Sequence, residues 1–124
     1  MQGGKERVVV LGASNKPERY SYKAVESLKS RGHEVMPVNP ALKEVLGIKA
    51  VNRLGDIKGR VDTVTLYVGP ERLRPMIGAV IKLKPGRIIA NPGTETPEMK
   101  EAAGKAGVEY IEACTLVMLS TGQF

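Results

Sequence analysis

The stretch that decides the fold is Val8-Val9-Val10-Leu11-Gly12-Ala13-Ser14, near the start of the chain. A continuous run of apolar, mostly β-branched residues is typical of a strand buried on both faces of a parallel sheet. Gly12 ends this run, and glycine permits both a tight turn and a close approach of the backbone to a ligand. The stretch therefore predicts a first strand that leads directly into a ligand-holding turn.

Apolar and amphipathic segments alternate along the rest of the chain. Further strands are predicted at residues 34–38, 61–68, 87–90 and 108–111. Helices are predicted at residues 21–31, from Pro70 to the Pro85-Gly86 pair, and from a Thr96 cap through Lys105. Such alternation predicts an α/β fold: a Rossmann-like, three-layer, doubly wound parallel sheet of about five strands.

Two segments are harder to place in this scheme. Val45-Leu46-Gly47-Ile48 and Val51 indicate a short helical turn followed by a short edge strand. Residues 114–124 are apolar until their polar end, which predicts a tail packed on the domain. We find neither an internal repeat nor a linker in the sequence, so we expect one domain over residues 1–124.

Composition narrows the classes of function. The 124 residues carry a formal charge of +6, with 42% hydrophobic residues. The basic residues are scattered beside acids, which is typical of a solubilising surface and also attracts a polyanionic small molecule. We expect no nucleic-acid partner, because the basic residues form no stripe and aromatic residues are few.

The single cysteine and the N-terminal sequence bear on location. Cys114 excludes an internal disulfide framework and fits a reducing compartment. The apolar run after the charged N-terminus is too short for a signal peptide or a membrane span. We therefore expect a cytoplasmic protein with no membrane partner.

The turn after the first strand carries groups suited to phosphate. Ser14 and Asn15 can donate to a phosphate oxygen, and the next helix begins with free N–H groups. Lys16 and Arg19 add positive charge. The glycine spacing of a dinucleotide-binding motif is absent from the sequence, as is a P-loop. Asn39-Pro40 also stands where a dinucleotide site needs an acid for the ribose.

Several of these motifs together resemble the coenzyme A-binding domain family. They are Gly12-Ala13-Ser14 with Pro17 and Arg19, Val38-Asn39-Pro40, Val45-Leu46-Gly47, Val61-Asp62-Thr63-Val64, and Pro70. That family consists of small Rossmann-like proteins, and a similar domain forms the coenzyme A-binding part of nucleotide diphosphate-forming acyl-coenzyme A synthetases. The resemblance extends over roughly residues 6 to 115.

The resemblance implies coenzyme A as the ligand and assigns residues to its parts. The pyrophosphate would be held by Gly12, Ala13, Ser14 and Arg19, with Asn15, Ser21 and Tyr22 beside them. The adenosine end would be flanked by Val38, Asn39 and Pro40, with Val68 and Pro70 across the cleft. A further ligand loop would comprise Asn91-Pro92-Gly93-Thr94, which includes Asn91 and Gly93.

Catalytic residues are harder to identify. His33 is the only histidine and is expected to be solvated. The synthetases that the chain resembles carry a phosphorylatable histidine, but His33 gives no support for that chemistry here. Cys114 has no metal-ligand spacing and is expected to pack as a small hydrophobe, with a mixed disulfide to coenzyme A as the alternative. Asp62 opens its strand at the amino end, and Glu95 is expected to cap the next helix rather than act as a base.

The sequence therefore favours a non-catalytic module that binds coenzyme A or an acyl derivative, with no metal. The alternative is a coenzyme A-binding component of an acyl-coenzyme A ligase or reductase that needs a partner subunit. The apolar segment 114–119 is a candidate homodimer contact.

Overall fold

A computed structural model describes residues 4–124, so residues 1–3 of the predicted domain lie outside the described part. The described strands are β1 (Arg7–Leu11), β2 (Glu34–Val38), β3 (Glu44–Val45), β4 (Ile48–Lys49), β5 (Thr63–Leu66), β6 (Arg87–Ala90) and β7 (Glu109–Glu112). The α-helices are α1 (Tyr20–Ser30), α2 (Pro70–Leu73), α3 (Ile77–Lys82), α4 (Pro97–Ala106) and α5 (Thr115–Ser120). The predicted α/β class is confirmed: a parallel five-stranded sheet has the order β2-β1-β5-β6-β7.

Strand β1 lies inside the sheet and is buried on both faces. Val8 and Val10 pack into one apolar cluster with α1 and α5, whereas Val9 and Leu11 pack into the other with α2, α3 and α4. Burial of an aliphatic side chain contributes about 1.5–3 kcal/mol. The continuous apolar run therefore produces three layers, because side chains alternate between the two faces of a strand.

The strand order places a crevice at the carboxyl ends of β1 and β5. The chain runs from β1 outward to β2, and then crosses back to β5 on the other side of β1. The helix after β1 therefore covers one face of the sheet, and the helix after β5 covers the other. Ligands of doubly wound proteins bind at such a reversal of strand order.

Residues 44–49 form a hairpin, so the predicted helical turn at this position is wrong. Leu46 and Gly47 have φ values of 51° and 76°, as in the two-residue turn that joins antiparallel strands. Val45 pairs with Ile48 across the turn. The predicted edge strand is reduced to one parallel bridge between Val51 and Val38.

The helix predicted from Pro70 to Pro85 is divided. Pro70 occupies the first turn of α2 as expected, and a 3-10 turn over Arg74–Met76 separates α2 from α3. Pro75 explains the break, because a proline inside a helix has no N–H to donate and its ring clashes with the preceding turn. Leu73 and Val80 remain fully buried, so both parts of the segment face the sheet.

The C-terminal part follows the sequence prediction closely. The Thr96 hydroxyl accepts a hydrogen bond from the Met99 N–H at 3.0 Å, and Gly107 ends α4 with a φ of 72°. Helix α5 packs against α1 through the buried side chain of Leu119, as expected for a packed tail. A helix that spans a bilayer needs about 20 mostly apolar residues, and none of the helices between residues 4 and 124 meets this requirement.

Candidate functional site

The turn after β1 is held against the end of β5. Gly12 has a φ of +92°, and a Cβ at this position would lie 2.8 Å from the Tyr67 carbonyl oxygen. Both the Gly12 and Ala13 N–H groups donate to the Val38 carbonyl at 3.1 Å. These two N–H groups are therefore engaged within the protein, so the free donors of this region lie further along the turn.

Asn39 ties the turn to the end of β2. Its amide Nδ2 donates to the Ala13 carbonyl at 2.8 Å, and its Oδ1 accepts from the Ala41 N–H at 2.7 Å. A carboxylate could not donate to Ala13, because an ionised acid only accepts hydrogen bonds. The asparagine that stands where a dinucleotide site needs an acid therefore shapes the turn.

The start of α1 provides free donors. Ser14 Oγ accepts from the Lys16 N–H at 3.0 Å, which leaves its hydroxyl hydrogen available to a ligand. The first hydrogen bond into the helix runs from the Lys23 N–H to the Arg19 carbonyl. Within the described chain, no side chain caps α1 and no acid lies in its first turn. The N–H groups of this first turn therefore favour an anion, helped by the Arg19 guanidinium.

These groups surround a cavity of about 430 Å³, which we call the loop cavity. It is lined by Gly12, Ala13, Ser14, Lys16, Arg19, Tyr20, Ser21, Asn39, Tyr67 and Arg72. Three of these residues are cations, and no acidic residue is among the described lining residues. Unlike Arg7, Arg60 and Arg87, which pair with carboxylates, these cations form no ion pair with the described residues. Their charge is therefore available to an anion.

A second cavity of about 320 Å³ adjoins the first, and we call it the apolar cavity. It is lined by Leu11, Gly12, Val38, Asn39, Pro40, Asn52, Arg53, Leu54, Gly55, Val68, Arg72, Pro75, Met76 and Ala79. Gly12, Asn39 and Arg72 belong to both linings, so the two cavities form one continuous cleft. A flat apolar group and an attached anion can therefore bind side by side.

Most of the residues expected to bind a ligand lie together in this cleft. The loop cavity contains Gly12, Ala13, Ser14, Arg19 and Ser21, and the apolar cavity contains Val38, Asn39, Pro40 and Val68. The predicted ligand set omitted Lys16, Tyr67, Arg72 and Arg53. Lys16 carried a charge signal next to the loop, whereas nothing in the sequence marks Arg53 or Arg72 as neighbours of residues 12–14.

Other predicted ligand residues lie outside both linings. The Asn15 amide donates to the Glu44 carbonyl at 2.9 Å, which ties the turn to the hairpin. Tyr22 packs against the apolar cluster of α1 and α5. Pro70 starts α2, and Gly93 donates its N–H to Glu95 at 2.9 Å. A ligand contact at these four residues stays a prediction.

Asn91 is buried in a closed polar network. Its amide donates to Thr65 Oγ1 at 2.7 Å and to the Leu66 carbonyl at 2.8 Å. Its Oδ1 accepts from the Thr115 N–H at 2.8 Å, at the start of α5. Both amide hydrogens are engaged, so the side chain joins β5, β6 and α5.

Tyr67 follows β5 and lines the loop cavity. Its hydroxyl is buried and makes no hydrogen bond with the described residues. Burial raises the pKa of the Tyr67 phenol to about 12, although the nearby hydroxyls of Thr115 and Thr65 oppose this shift. The phenol is therefore protonated near neutral pH and is unsuited to act as a base.

Glu95 and Thr96 were both expected to cap α4, but only Thr96 does so. The Glu95 carboxylate accepts from the Gly93 N–H, while Thr96 caps α4. The prediction that Glu95 caps the next helix is therefore wrong, because its side chain closes its own turn. Cys114 lies half-buried between β7 and α5, near a strand end as expected.

His33 lies at the amino edge of the sheet, opposite the cleft. It is half-buried rather than solvated as predicted, because its ring packs edge-on against Phe124 at 5.2 Å and accepts the Glu6 N–H at 3.0 Å. Burial lowers the pKa of His33 from its ordinary value of 6.5, against the attraction of the Glu6 carboxylate. In residues 4–124, no group of histidine, cysteine and acidic side chains is arranged to hold a metal ion.

Both a family model and a solved structure match nearly the whole chain. A family model described as a CoA binding domain matches residues 6–120. The crystal structure of an uncharacterized protein has a TM-score of 0.92 and 45% identity, covering 98% of this chain and 99% of that one.

Two curated proteins also align. YneT of Bacillus subtilis is 38% identical over 68 residues, covering 55% of this chain and 50% of YneT. The alpha subunit of the ADP-forming acetate–CoA ligase II of Pyrococcus furiosus is 31% identical over 115 residues, covering 84% of this chain and 25% of the subunit. The chain thus spans half of the first relative and a quarter of the second.

Proposed function

The chain belongs to the CoA-binding domain family, and we propose that it binds coenzyme A or an acyl derivative in the cleft, without catalysing a reaction on it. The observation that carries the proposal is the junction of a cationic cavity with an apolar one. Coenzyme A has the same division, since a diphosphate links its adenine nucleoside to a flexible thiol arm.

The diphosphate is assigned to the loop cavity. Ser14 offers a hydroxyl hydrogen, the first turn of α1 offers N–H groups, and Lys16, Arg19 and Arg72 offer charge. Coenzyme A carries about four negative charges near neutral pH, so these cations also favour its approach. Gly12 and Ala13 contribute the shape of the turn, because their N–H groups bond to Val38.

The adenine is assigned to the apolar cavity. Val38 and Pro40 come from the end of β2, and Val68 comes from the end of β5, so they offer apolar surface from two elements. A volume of about 320 Å³ lies within the range of small-molecule sites, which begins near 300 Å³. Asn39 and Arg72, shared by both cavities, lie where the ribose would join adenine to the diphosphate.

Isothermal titration with coenzyme A tests the proposal. Arg19→Ala should weaken binding about tenfold or more and reduce its salt dependence, since a charged hydrogen bond to phosphate is lost. Arg31→Ala, at the other end of α1 and outside both cavity linings, is the matched control and should bind as the parent does. Absence of heat at high micromolar ligand would refute the binding proposal.

The non-catalytic part has a separate test. Incubation with acetyl-coenzyme A should release no free thiol above the rate without protein, as measured with a thiol reagent. The described cleft supports this expectation, because neither cavity lining contains an acid or a histidine that could serve as a general base.

A second candidate function follows from the Pyrococcus furiosus relative. The alignment with a ligase subunit favours a coenzyme A-binding component that acts with a partner subunit. Activity that appears only when a second protein is added would support it. His33 would take no direct part in such an activity, since it lies at the sheet edge opposite the cleft.

Self-association and location remain part of the proposal. On α5, Leu119 is buried but Val117 is 57% exposed, which leaves the Val117 side chain for a homodimer contact. Light scattering of the parent and of Val117→Lys would show whether a dimer forms and whether α5 holds it. A cytoplasmic location is consistent with the lone thiol of Cys114.

A further inference from the structure

We propose that Arg53 and Arg72 form a second phosphate site in the lining of the apolar cavity, which selects nucleotides carrying a phosphate on the ribose. This inference rests on the proposed function and goes beyond it, because it states which part of coenzyme A the chain distinguishes. The diphosphate is held elsewhere, by the turn after β1 and the start of α1.

The two arginines reach the cavity from different elements. Arg72 lies on α2, which follows β5, whereas Arg53 precedes the 3-10 turn Leu54–Asp56 in the segment after the hairpin. Both line the apolar cavity. Of the two, Arg72 also lines the loop cavity, whereas Arg53 lines the apolar cavity alone.

The segment that carries Arg53 is anchored to the end of β2. The Asn52 amide donates to the Asn39 carbonyl at 3.0 Å and to the Leu42 carbonyl at 3.1 Å. Leu54, on the other side of Arg53, is buried in the core. The backbone at Arg53 is therefore held in place beside the cavity, and only its side chain must be ordered by a ligand.

No strong pairing with a described carboxylate prevents either guanidinium group from binding an anion. Arg53 approaches Asp56 at 3.6 Å, but the two side chains are 82% and 52% exposed. Exposed pairs of this kind contribute little, so a phosphate can displace the carboxylate. Arg72 forms no ion pair with the described residues, and no acid is among the residues described as lining the apolar cavity.

The position matches the chemistry of a ribose phosphate. Adenine in the apolar cavity and diphosphate in the loop cavity place the ribose at their junction, beside Arg72. A phosphate on a hydroxyl of that ribose would lie within reach of the apolar cavity lining, to which Arg53 and Arg72 both belong. Arginine suits this position, because its planar fork binds a phosphate through two parallel hydrogen bonds.

The test compares coenzyme A with dephospho-coenzyme A, which lacks only the ribose phosphate, by isothermal titration. The parent should bind coenzyme A about tenfold or more tightly. Arg53→Gln should reduce this ratio about threefold or more, since Arg72 is still present, while dephospho-coenzyme A binds nearly as before. Arg72→Gln should reduce the ratio and also weaken dephospho-coenzyme A, since Arg72 lines both cavities.

Two further variants sharpen the result. Asp56→Asn should increase the preference for coenzyme A, because it removes the carboxylate that competes for Arg53. Arg74→Gln is the matched control, since Arg74 pairs with Glu98 at 3.2 Å outside both cavity linings, and its ratio should equal that of the parent.

The outcomes separate this inference from the proposed function. Equal affinity of the parent for both ligands would overturn the ribose-phosphate site and leave coenzyme A binding intact. A preference that survives unchanged in both Arg53→Gln and Arg72→Gln would also overturn it, since the phosphate would then be held by other groups. If neither ligand binds, the proposed function fails and the inference falls with it.

Discussion

Replacing Asn91 by alanine should destabilise the protein while leaving the cleft intact. Asn91 is 3% exposed and makes three side-chain hydrogen bonds at 2.7, 2.8 and 2.8 Å. A hydrogen bond contributes about 1 kcal/mol net, and a buried partner left unpaired costs more. We therefore expect a loss of about 3 kcal/mol in the free energy of unfolding.

Urea unfolding followed by circular dichroism measures this loss. For a domain near this size the loss corresponds to a fall of about 10 °C in Tm, with an unchanged urea slope. Asn15→Ala is the matched control, because Asn15 is exposed and its amide makes one hydrogen bond, to Glu44. This control should lose less than about 1 kcal/mol.

The same variant decides between two roles of Asn91. The sequence resemblance predicts a ligand contact, whereas the structure engages both amide hydrogens inside the protein. Titration of folded Asn91→Ala with coenzyme A should give the affinity of the parent within about twofold. A destabilisation below about 1 kcal/mol, or a folded variant that no longer binds, would refute this reasoning.

Two further predictions concern the turn and the opposite sheet edge. Gly12→Ala should cost about 2 kcal/mol or more in urea unfolding, because φ is +92° and the new Cβ would lie 2.8 Å from the Tyr67 carbonyl; Gly78→Ala, with nothing within 4 Å, should cost nothing. Burial lowers the pKa of His33 in the folded protein, where its ring accepts the Glu6 N–H. The ring therefore stabilises the fold above its unfolded pKa of 6.5, and this contribution is lost as pH falls through the lower pKa of the folded state. Unfolding free energies of the parent minus those of His33→Gln should therefore decrease from about pH 7.5 to about pH 5.5, and a flat difference would contradict the assignment.

Much of the fold can be predicted from local sequence patterns. The run at residues 8–11 indicated a doubly buried strand, and Thr96 marked the start of α4. These predictions succeeded because the signals depend on a residue's own conformational limits and on the burial of its strand. The hairpin at 44–49 was missed because Leu46 takes a positive φ, a conformation that leucine rarely adopts and that its presence therefore does not predict.

The division of the helix after Pro70 shows a different limit. Its apolar residues keep a helical spacing on both sides of Pro75, so periodicity alone predicted one continuous element. The proline breaks the backbone hydrogen bonding locally while the apolar face still packs on the sheet. Pattern and backbone chemistry thus pointed to different answers within one segment.

The sequence by itself determined that a tight turn follows the first strand, because Gly12 stands directly after the apolar run. Only the tertiary structure decided which other groups face that turn. Arg72 follows β5 and lines both cavities, whereas Arg53 follows the hairpin and lines the apolar cavity; both reach the cleft because β1, β2 and β5 are neighbours whose carboxyl ends share one edge of the sheet. Tertiary structure likewise turned Asn91 inward, where α5 and β5 take up its hydrogen bonds. Local conformation is encoded by adjacent residues, whereas the charge and shape of a cleft depend on segments that meet only after the sheet is assembled.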